Sequence, residues 1–405
     1  MGGCNHNRRR LAGQTADHVK CCTFKHLRLS RPVSNIASLA QVRPANCQLP
    51  VSWYFDPEIF AREKKLLFDA GSNYAGHELM VPEAGDYQTI PWMDHAKMLV
   101  RNETGVALLS NVCRHRQSIM LEGRGNIENI VCPLHRWTYD LKGELLGAPR
   151  FAENPCVRLH STPLTNWNGL LFAGPRDPRR DLADFGCSGD FDFSGYALDR
   201  VEISDYATNW KTFVEVYLEV YHVDYLHAGL GNFADVDNFH VRYGERNSVQ
   251  VVPAKNGFNA PGTPVYRRWQ EACLRQLHGK TPKYGALWAT YFPGLTFEWY
   301  PNVLIVSNLI PRSPELTTNI VEFYYPEEIV HFERDFIEAQ KAAYIETALE
   351  DDEICRRLDR GRRALWQQGL DDAGPYQSPM EDTMVHFHEW LRRGLAAGET
   401  PGEHT

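Results

Sequence analysis

No apolar run in this 405-residue chain is long enough to cross a bilayer. The longest, such as Gly169 to Gly174 and Val303 to Ile310, fall far short of the roughly 18 residues a spanning helix needs. Basic charge is not in excess either: 43 Lys and Arg stand against 51 Asp and Glu, a formal −8. That balance disfavours nucleic acid or an anionic membrane as partner and favours small-molecule chemistry. Cysteine is sparse, ten residues at uneven spacing, too few for a disulfide framework, so most are expected as reduced thiols or metal ligands in a cytoplasmic protein. Internal repeats and low-complexity tracts are missing too. What remains, 43% hydrophobic and 12% aromatic residues, suffices to bury a large core in two domains.

The first 45 residues differ from the rest. Arg8, Arg9, Arg10, Lys20, Lys25, Arg28, Arg31 and Arg43 face the single acid Asp17, and Cys21-Cys22 lacks metal-ligand spacing. Residues 1–46 therefore read as an irregular basic extension, too poor in serine for a typical transit peptide. A first domain is expected over 47–178. It opens with a helix capped by Asp56 with Pro57 in its first turn. Short strands follow at Leu79 to Pro82, Tyr87 to Pro91, Lys97 to Arg101 and Val106 to Asn111, bounded by Gly, Asp and Asn turns. The polar run Arg176 to Asp181 marks the boundary. Residues 179–405 form the second domain: a strand from Asp199 to Tyr206, a helix from Trp210 to Val220, then strands at Leu287 to Tyr291, Leu295 to Tyr300, Val303 to Ile310 and Asn319 to Tyr325. Apolar residues at helical spacing from Glu328 to about Leu365 predict one long closing helix. The fold class is α+β.

The sharpest motif is Cys113-Arg-His115, sixteen intervening residues, then Cys132-Pro-Leu-His135. One or two residues between Cys and His place both on a tight loop, and the spacer is long enough for a hairpin that brings the loops together. Spacing alone admits a tetrahedral zinc or a [2Fe-2S] cluster with two Cys on one iron and two His on the other. The flanks, Asn111-Val-Cys113-Arg-His115-Arg and Cys132-Pro-Leu-His135-Arg-Trp137-Thr-Tyr139, closely resemble the Rieske domain of ring-hydroxylating oxygenases. Trp137 reads as a core aromatic, and Tyr139 as a possible hydrogen-bond donor to a cluster sulfur.

A second constellation is Glu219-Val-Tyr-His222-Val-Asp-Tyr-Leu-His227. Histidines five apart lie about 140° from one another on a regular helix, so both reach one metal only if the helix ends or distorts; Gly229 and Gly231 just downstream predict a terminus there. The run resembles the mononuclear iron motif of the same family, which implies a third, carboxylate ligand from the C-terminal helix. Asp351 is the expected ligand within Glu350-Asp351-Asp352-Glu353, with Asp352 the alternative, since neighbours on a helix point about 100° apart. Glu219, three residues before His222 and read as sharing its helix face, would by that resemblance bridge His222 to His135 of the partner subunit.

The resemblance covers roughly residues 50 to 395. Gly374-Pro-Tyr-Gln-Ser-Pro-Met-Glu-Asp, His386-Phe-His388-Glu-Trp390 and the glutamate at 219 look most like the branch containing choline, glycine betaine and carnitine monooxygenases. His386 and His388 read as part of a packed helix rather than as metal ligands. Family membership implies a helix-grip catalytic domain, a head-to-tail homotrimer, mononuclear non-haem Fe(II), and electrons from NAD(P)H through a separate reductase or ferredoxin. The chain carries no nicotinamide site of its own: Gly229-Leu-Gly231-Asn-Phe-Ala234 mimics a dinucleotide fingerprint but follows a helix rather than a strand. The expected activity is O2-dependent hydroxylation of a small organic substrate, an aromatic compound in the first instance. The alternatives are oxidative N-demethylation of a quaternary ammonium compound, pure electron transfer, or zinc-stabilised ligand binding without catalysis. Tyr291, Phe292, Phe297, Trp299 and Tyr300 are the expected pocket walls.

Overall fold

The computed structural model describes residues 47–94, 96–259 and 262–396, so the N-terminal extension lies outside the described residues. No described helix is long and apolar enough to cross a membrane. The described cysteines are all unpaired.

The N-terminal half opens as expected: Pro57–Glu63 is helical and the Asp56 carboxylate accepts from the backbone of Glu58. A five-stranded antiparallel sheet follows, built from Arg124–Asn126, Asp86–Thr89, Lys97–Asn102, Gly105–Ser110 and Ser161–Thr162 in that spatial order. The strand expected over Leu79 to Pro82 is absent. Glu78–Met80 forms a single 3-10 turn instead, because the His77 ring takes the backbone N–H of Leu79 and ends the preceding strand, Asn73–His77. A second small sheet, Ile130–Val131, Thr138–Tyr139 and Leu145–Gly147, carries the loop between Cys132 and Trp137.

The C-terminal half is one seven-stranded antiparallel sheet. Its strands are β1 (Tyr196–Tyr206), β2 (His240–Tyr243), β3 (Asn247–Val252), β4 (Ala286–Tyr291), β5 (Leu295–Tyr300), β6 (Val303–Ser313) and β7 (Leu316–Pro326), in the order β1-β7-β6-β5-β4-β3-β2. Each strand sends alternate residues to opposite faces. On one face Trp288, Ile305, Val321 and Phe323 pack against the helices α1 (Trp210–Leu218), α2 (Val223–Leu226), α3 (Pro264–Gln276) and α4 (Arg334–Gln367) or their connections. On the other face Leu287, Phe297, Leu304 and Tyr324 pack against Tyr74, Leu170 and Phe172 of the N-terminal half. The central sheet is thus buried on both sides, which accounts for its near-continuous apolar strands.

Two helices differ from the sequence expectation. The long closing helix is split: Glu327–Phe332 is a separate turn, and Glu333, at φ −122° and ψ 51°, interrupts it before α4. Helix α1 ends at Leu218 rather than running to Val220. Glu219 is already extended (φ −93°, ψ 137°), and the Val220 N–H is bound to the Met380 carbonyl, so a tertiary bond replaces the next helical one. A last helix, α5 (Asp382–Ala396), buries Trp390 and Leu391 against Trp210.

Candidate metal centres and substrate cavity

Two matching loops hold the first residue set. In one, the Cys113 N–H bonds the Ser118 carbonyl at 2.9 Å and the Gln117 N–H bonds the Cys113 carbonyl at 3.1 Å; in the other, Cys132 N–H to Trp137 carbonyl is 2.8 Å and Arg136 N–H to Cys132 carbonyl is 3.0 Å. Gln117 and Arg136, each four residues after its cysteine, both take left-handed backbone (φ 56° and 61°), which closes the two turns alike. Cys113 and Cys132 are buried at 2% exposure, and burial raises the Cys132 thiol pKa above its ordinary value, with Cys113 beside it adding to the rise. The His115 and His135 rings stand 4.7 Å apart, and Trp137 stacks flat on His115 at 4.8 Å. His115 Nδ1 is buried without a hydrogen-bond partner, a cost that a metal bond removes. The Tyr139 hydroxyl lies 3.5 Å from Cys113 Sγ and accepts the Arg114 N–H. His135 is exposed beside Leu134 and Arg136, so this corner faces outward.

Thiols paired on one side and imidazoles on the other suit a two-iron cluster better than one ion. Among the described residues, the group whose ligand atoms converge within 4.8 Å, as a single ion requires, is instead His222, His227 and Asp351. His222 starts the four-residue helix α2 and His227 ends it. Their Nε2 atoms face each other at 3.1 Å. Asp351 Oδ1, from α4, is 3.0 Å from His227 Nε2 and 3.5 Å from His222 Nε2, yet it is buried and too poorly aligned with either for a hydrogen bond. The outer nitrogens are committed elsewhere: His222 Nδ1 to Glu219 at 2.6 Å, His227 Nδ1 to Glu350 at 2.7 Å. Each carboxylate accepts a hydrogen bond from an Nδ1–H, which in the neutral rings leaves both Nε2 lone pairs and one carboxylate oxygen aimed at a common point. That is the donor set of a 2-His-1-carboxylate iron site.

Without a metal the groups polarise one another. Burial lowers the His222 pKa, but the neighbouring carboxylates of Asp351 and Glu219 outweigh it and lift the ring to about 9. His227 is raised the same way, against burial, by Asp351 and Glu350. Burial pushes Asp351 up, and the two histidines more than reverse it, holding the carboxylate ionised.

Asp352 is not part of this group; it pairs with Arg356 at 2.7 Å. Glu219 touches His222 twice, through Nδ1 and through the backbone N–H at 3.0 Å. It does so across the end of α1 and not along a shared helix face, correcting the sequence reading. A helix does terminate here, at Leu226 with His227 as its C-cap, but Gly229 and Gly231 do not cap it; they lie at and inside a further short helix, Leu230–Phe233, so the fingerprint-like segment follows a helix and no strand. His388 bonds Tyr376 and Glu215, and His386 packs on Phe292, both as parts of α5.

A cavity of about 110 Å3 opens beside the three converging groups. Of the expected walls only Tyr300 lines it. Phe297, Trp299 and Tyr291 sit on the opposite face of the sheet, and Phe292 packs under α5, because strand alternation sends Thr296, Glu298 and Tyr300 inward. The walls missed by sequence reading include Trp288 on β4, Tyr266 and Trp269 on α3, Tyr344 on α4, and the buried Glu298.

Two redox-capable sites on one chain, one of sulfur and imidazole and one of imidazole and carboxylate, define an iron-dependent oxygenase with its own electron relay. The comparisons agree. Residues 73–163 match the Rieske [2Fe-2S] domain, and residues 193–397 match the ring hydroxylating alpha subunit (catalytic domain). Putrescine 2-hydroxylase of Ralstonia nicotianae is 59% identical over 361 residues, covering 89% of this chain and 99% of that protein. The putrescine 2-hydroxylase of Bordetella bronchiseptica is 51% identical over 91% of this chain and 89% of its own length. Among solved structures, the quaternary ammonium Rieske monooxygenase CntA superposes with a TM-score of 0.67 at 19% identity, over 86% of this chain and 95% of that one. The chain belongs to the Rieske non-haem iron oxygenase alpha-subunit family. It is an oxidoreductase of the oxygenase class that carries a [2Fe-2S] cluster and a mononuclear non-haem iron.

Proposed function

We propose that this chain is a monooxygenase that hydroxylates a carbon of a small aliphatic amine of the size of putrescine. In this reading residues 47–178 carry the cluster on Cys113, His115, Cys132 and His135, and residues 179–405 hold the mononuclear iron on His222, His227 and Asp351. The observation that carries the substrate class is the cavity beside that triad. Its volume of about 110 Å3 lies below the roughly 300 Å3 of a drug-sized pocket, and its walls are aromatic. Aromatic faces attract a cation, and similarity to two putrescine 2-hydroxylases over most of the chain points the same way. An aliphatic amine therefore replaces the aromatic substrate expected from the family at large.

When bound, the iron supplies reductive activation of O2 and the cluster supplies an electron to it. The protein positions and insulates. Glu219 fixes the His222 ring and, in a head-to-tail homotrimer, meets His135 of the partner subunit, so the two imidazoles are joined by one carboxylate. Trp288, Trp269 and Tyr300 keep water away from the substrate and hold the target carbon near the triad. Overall, one oxygen atom enters a C–H bond and the other leaves as water; a separate cytoplasmic reductase or ferredoxin provides two electrons, and solvent two protons.

The test is turnover of the iron- and cluster-loaded chain on putrescine under labelled O2 with a reductase and NAD(P)H supplying electrons, and mass spectrometry of the product. One labelled oxygen on carbon is expected. Formaldehyde released from a trimethylammonium compound, with putrescine untouched, would sink this reading in favour of N-demethylation.

A further inference from the structure

Among the described residues, Glu298 is the one acid lining the cavity that takes no part in the metal-binding group or its supports. It lies on β5, cross-strand from Trp288 of β4 and Ile305 of β6. Trp288 Nε1 donates to the Tyr300 hydroxyl at 2.9 Å, and that hydroxyl donates to Glu298 Oε2 at 2.8 Å. The relay fixes the carboxylate and uses the one donor of Tyr300, while Oε1 makes no hydrogen bond among the described residues.

A buried carboxylate is costly without a cation. Elsewhere this chain supplies one: Lys211 sits 2.8 Å from buried Glu63, and Arg362 2.7 Å from buried Glu215. Glu298 has no such partner, since no lysine or arginine lines the cavity among the described residues. Burial first, and then the like charge of Asp351, push its pKa up to about 7, against the Tyr300 hydrogen bond. The other groups whose fields interact with it are Tyr300 itself, Tyr217 on α1, Tyr266 on α3 and Tyr344 on α4. All four are raised above the ordinary tyrosine range, chiefly by burial, and stay neutral. Glu322 is also raised to about 7, but Tyr74 and Tyr324 enclose it on the far face of the sheet from His222, His227 and Asp351.

We propose that Glu298 is the ammonium-recognition residue of this site: a protonated primary amine seats on Oε1 between the faces of Trp288, Trp269 and Tyr300, and its carbon chain runs toward His222, His227 and Asp351. The inference rests on the amine-hydroxylase reading and adds the residue that selects the substrate. A primary ammonium donates N–H bonds to Oε1. A quaternary ammonium has none to give, so the site prefers putrescine to choline.

The experiment is anaerobic equilibrium dialysis of putrescine and choline against the full chain loaded with cluster and iron, for the native protein, Glu298→Gln and Glu298→Asp. Glu298→Gln is expected to weaken putrescine binding by about tenfold to a hundredfold with cluster spectrum and iron content unchanged, Glu298→Asp recovering part of it. In the native protein putrescine binding tightens as pH rises through about 7, where the carboxyl ionises, whereas Glu298→Gln is flat. Equal binding of putrescine by native protein and Glu298→Gln overturns the inference and leaves the amine reading standing. A native protein that binds no primary amine overturns both.

Discussion

His227 is gripped from two sides by consecutive residues of α4, Glu350 on Nδ1 and Asp351 at Nε2. Removing the outer grip should weaken the hold on iron without abolishing it. Glu350→Gln is expected to weaken iron affinity by about tenfold to a hundredfold while leaving the cluster absorption intact, measured by chelator competition. Asp351→Ala should lose the mononuclear iron entirely, and Asp352→Asn should retain it. Proton competition follows from the same geometry. The metal-free His222 holds its proton up to about pH 9, above the unfolded value of 6.5. That charge stabilises the metal-free fold fully below 6.5, and the benefit is lost as pH rises through 9. Iron needs the neutral ring, so its affinity should climb as pH rises toward 9 and fall on acidification. At this scale the sequence picked out, through motif spacing and flanks, His222, His227 and Asp351, which the fold brings together, and the Cys113, His115, Cys132 and His135 set on its two loops. It hid Glu350, which reads as one acid in a solvated run. It half-hid Glu298: alternation along Leu295 to Tyr300 places it with Thr296 and Tyr300, but the large aromatics at 297 and 299 drew attention to the wrong face.

Element boundaries were legible where local chemistry sets them and illegible where tertiary contacts do. The Asp56-Pro57 start of a helix and the strands β4 to β7 follow from capping and alternation. The stop of α1 at Leu218 follows from the Met380 carbonyl reaching Val220, and the break at Glu333 has no glycine or proline to announce it. Strand β7 carries a further prediction. On its outer face Glu322 accepts from the hydroxyls of Tyr74 and Tyr324, each at 2.6 Å, and thereby ties the N-terminal half to the sheet. Its folded pKa of about 7 exceeds the ordinary 4.5, so the native state holds a proton that the unfolded chain releases between those values. Stability therefore declines as pH rises from about 4.5 to 7, and the full cost persists above 7. Glu322→Gln cannot ionise and should gain roughly 1–3 kcal/mol relative to the native chain at pH 8 compared with pH 5, read from denaturation midpoints. In the small cluster sheet, Tyr139→Phe removes a hydroxyl beside Cys113 and should lower the cluster potential, measured by redox titration.

Across the whole molecule, no hydrogen bond, ion pair or ring contact among the described residues links the cluster loops to His222, His227 or Asp351. Glu219 spends its carboxylate on His222 and reaches no cluster histidine within the chain. An inter-subunit path makes a sharp prediction: His135→Ala and Asp351→Ala, each inactive alone, should recover turnover when co-assembled, and no recovery would argue that electrons stay within one chain. Alternation in the central sheet has a consequence for how such enzymes diverge. On β5 the odd positions answer to the rest of the molecule and the even positions to whatever the cavity admits, so substrate preference can drift one side chain at a time while the seam between the halves keeps its fit. A register slip by a single residue would exchange the two sets at once, and new specificities should therefore arise by point replacement, with strand length conserved.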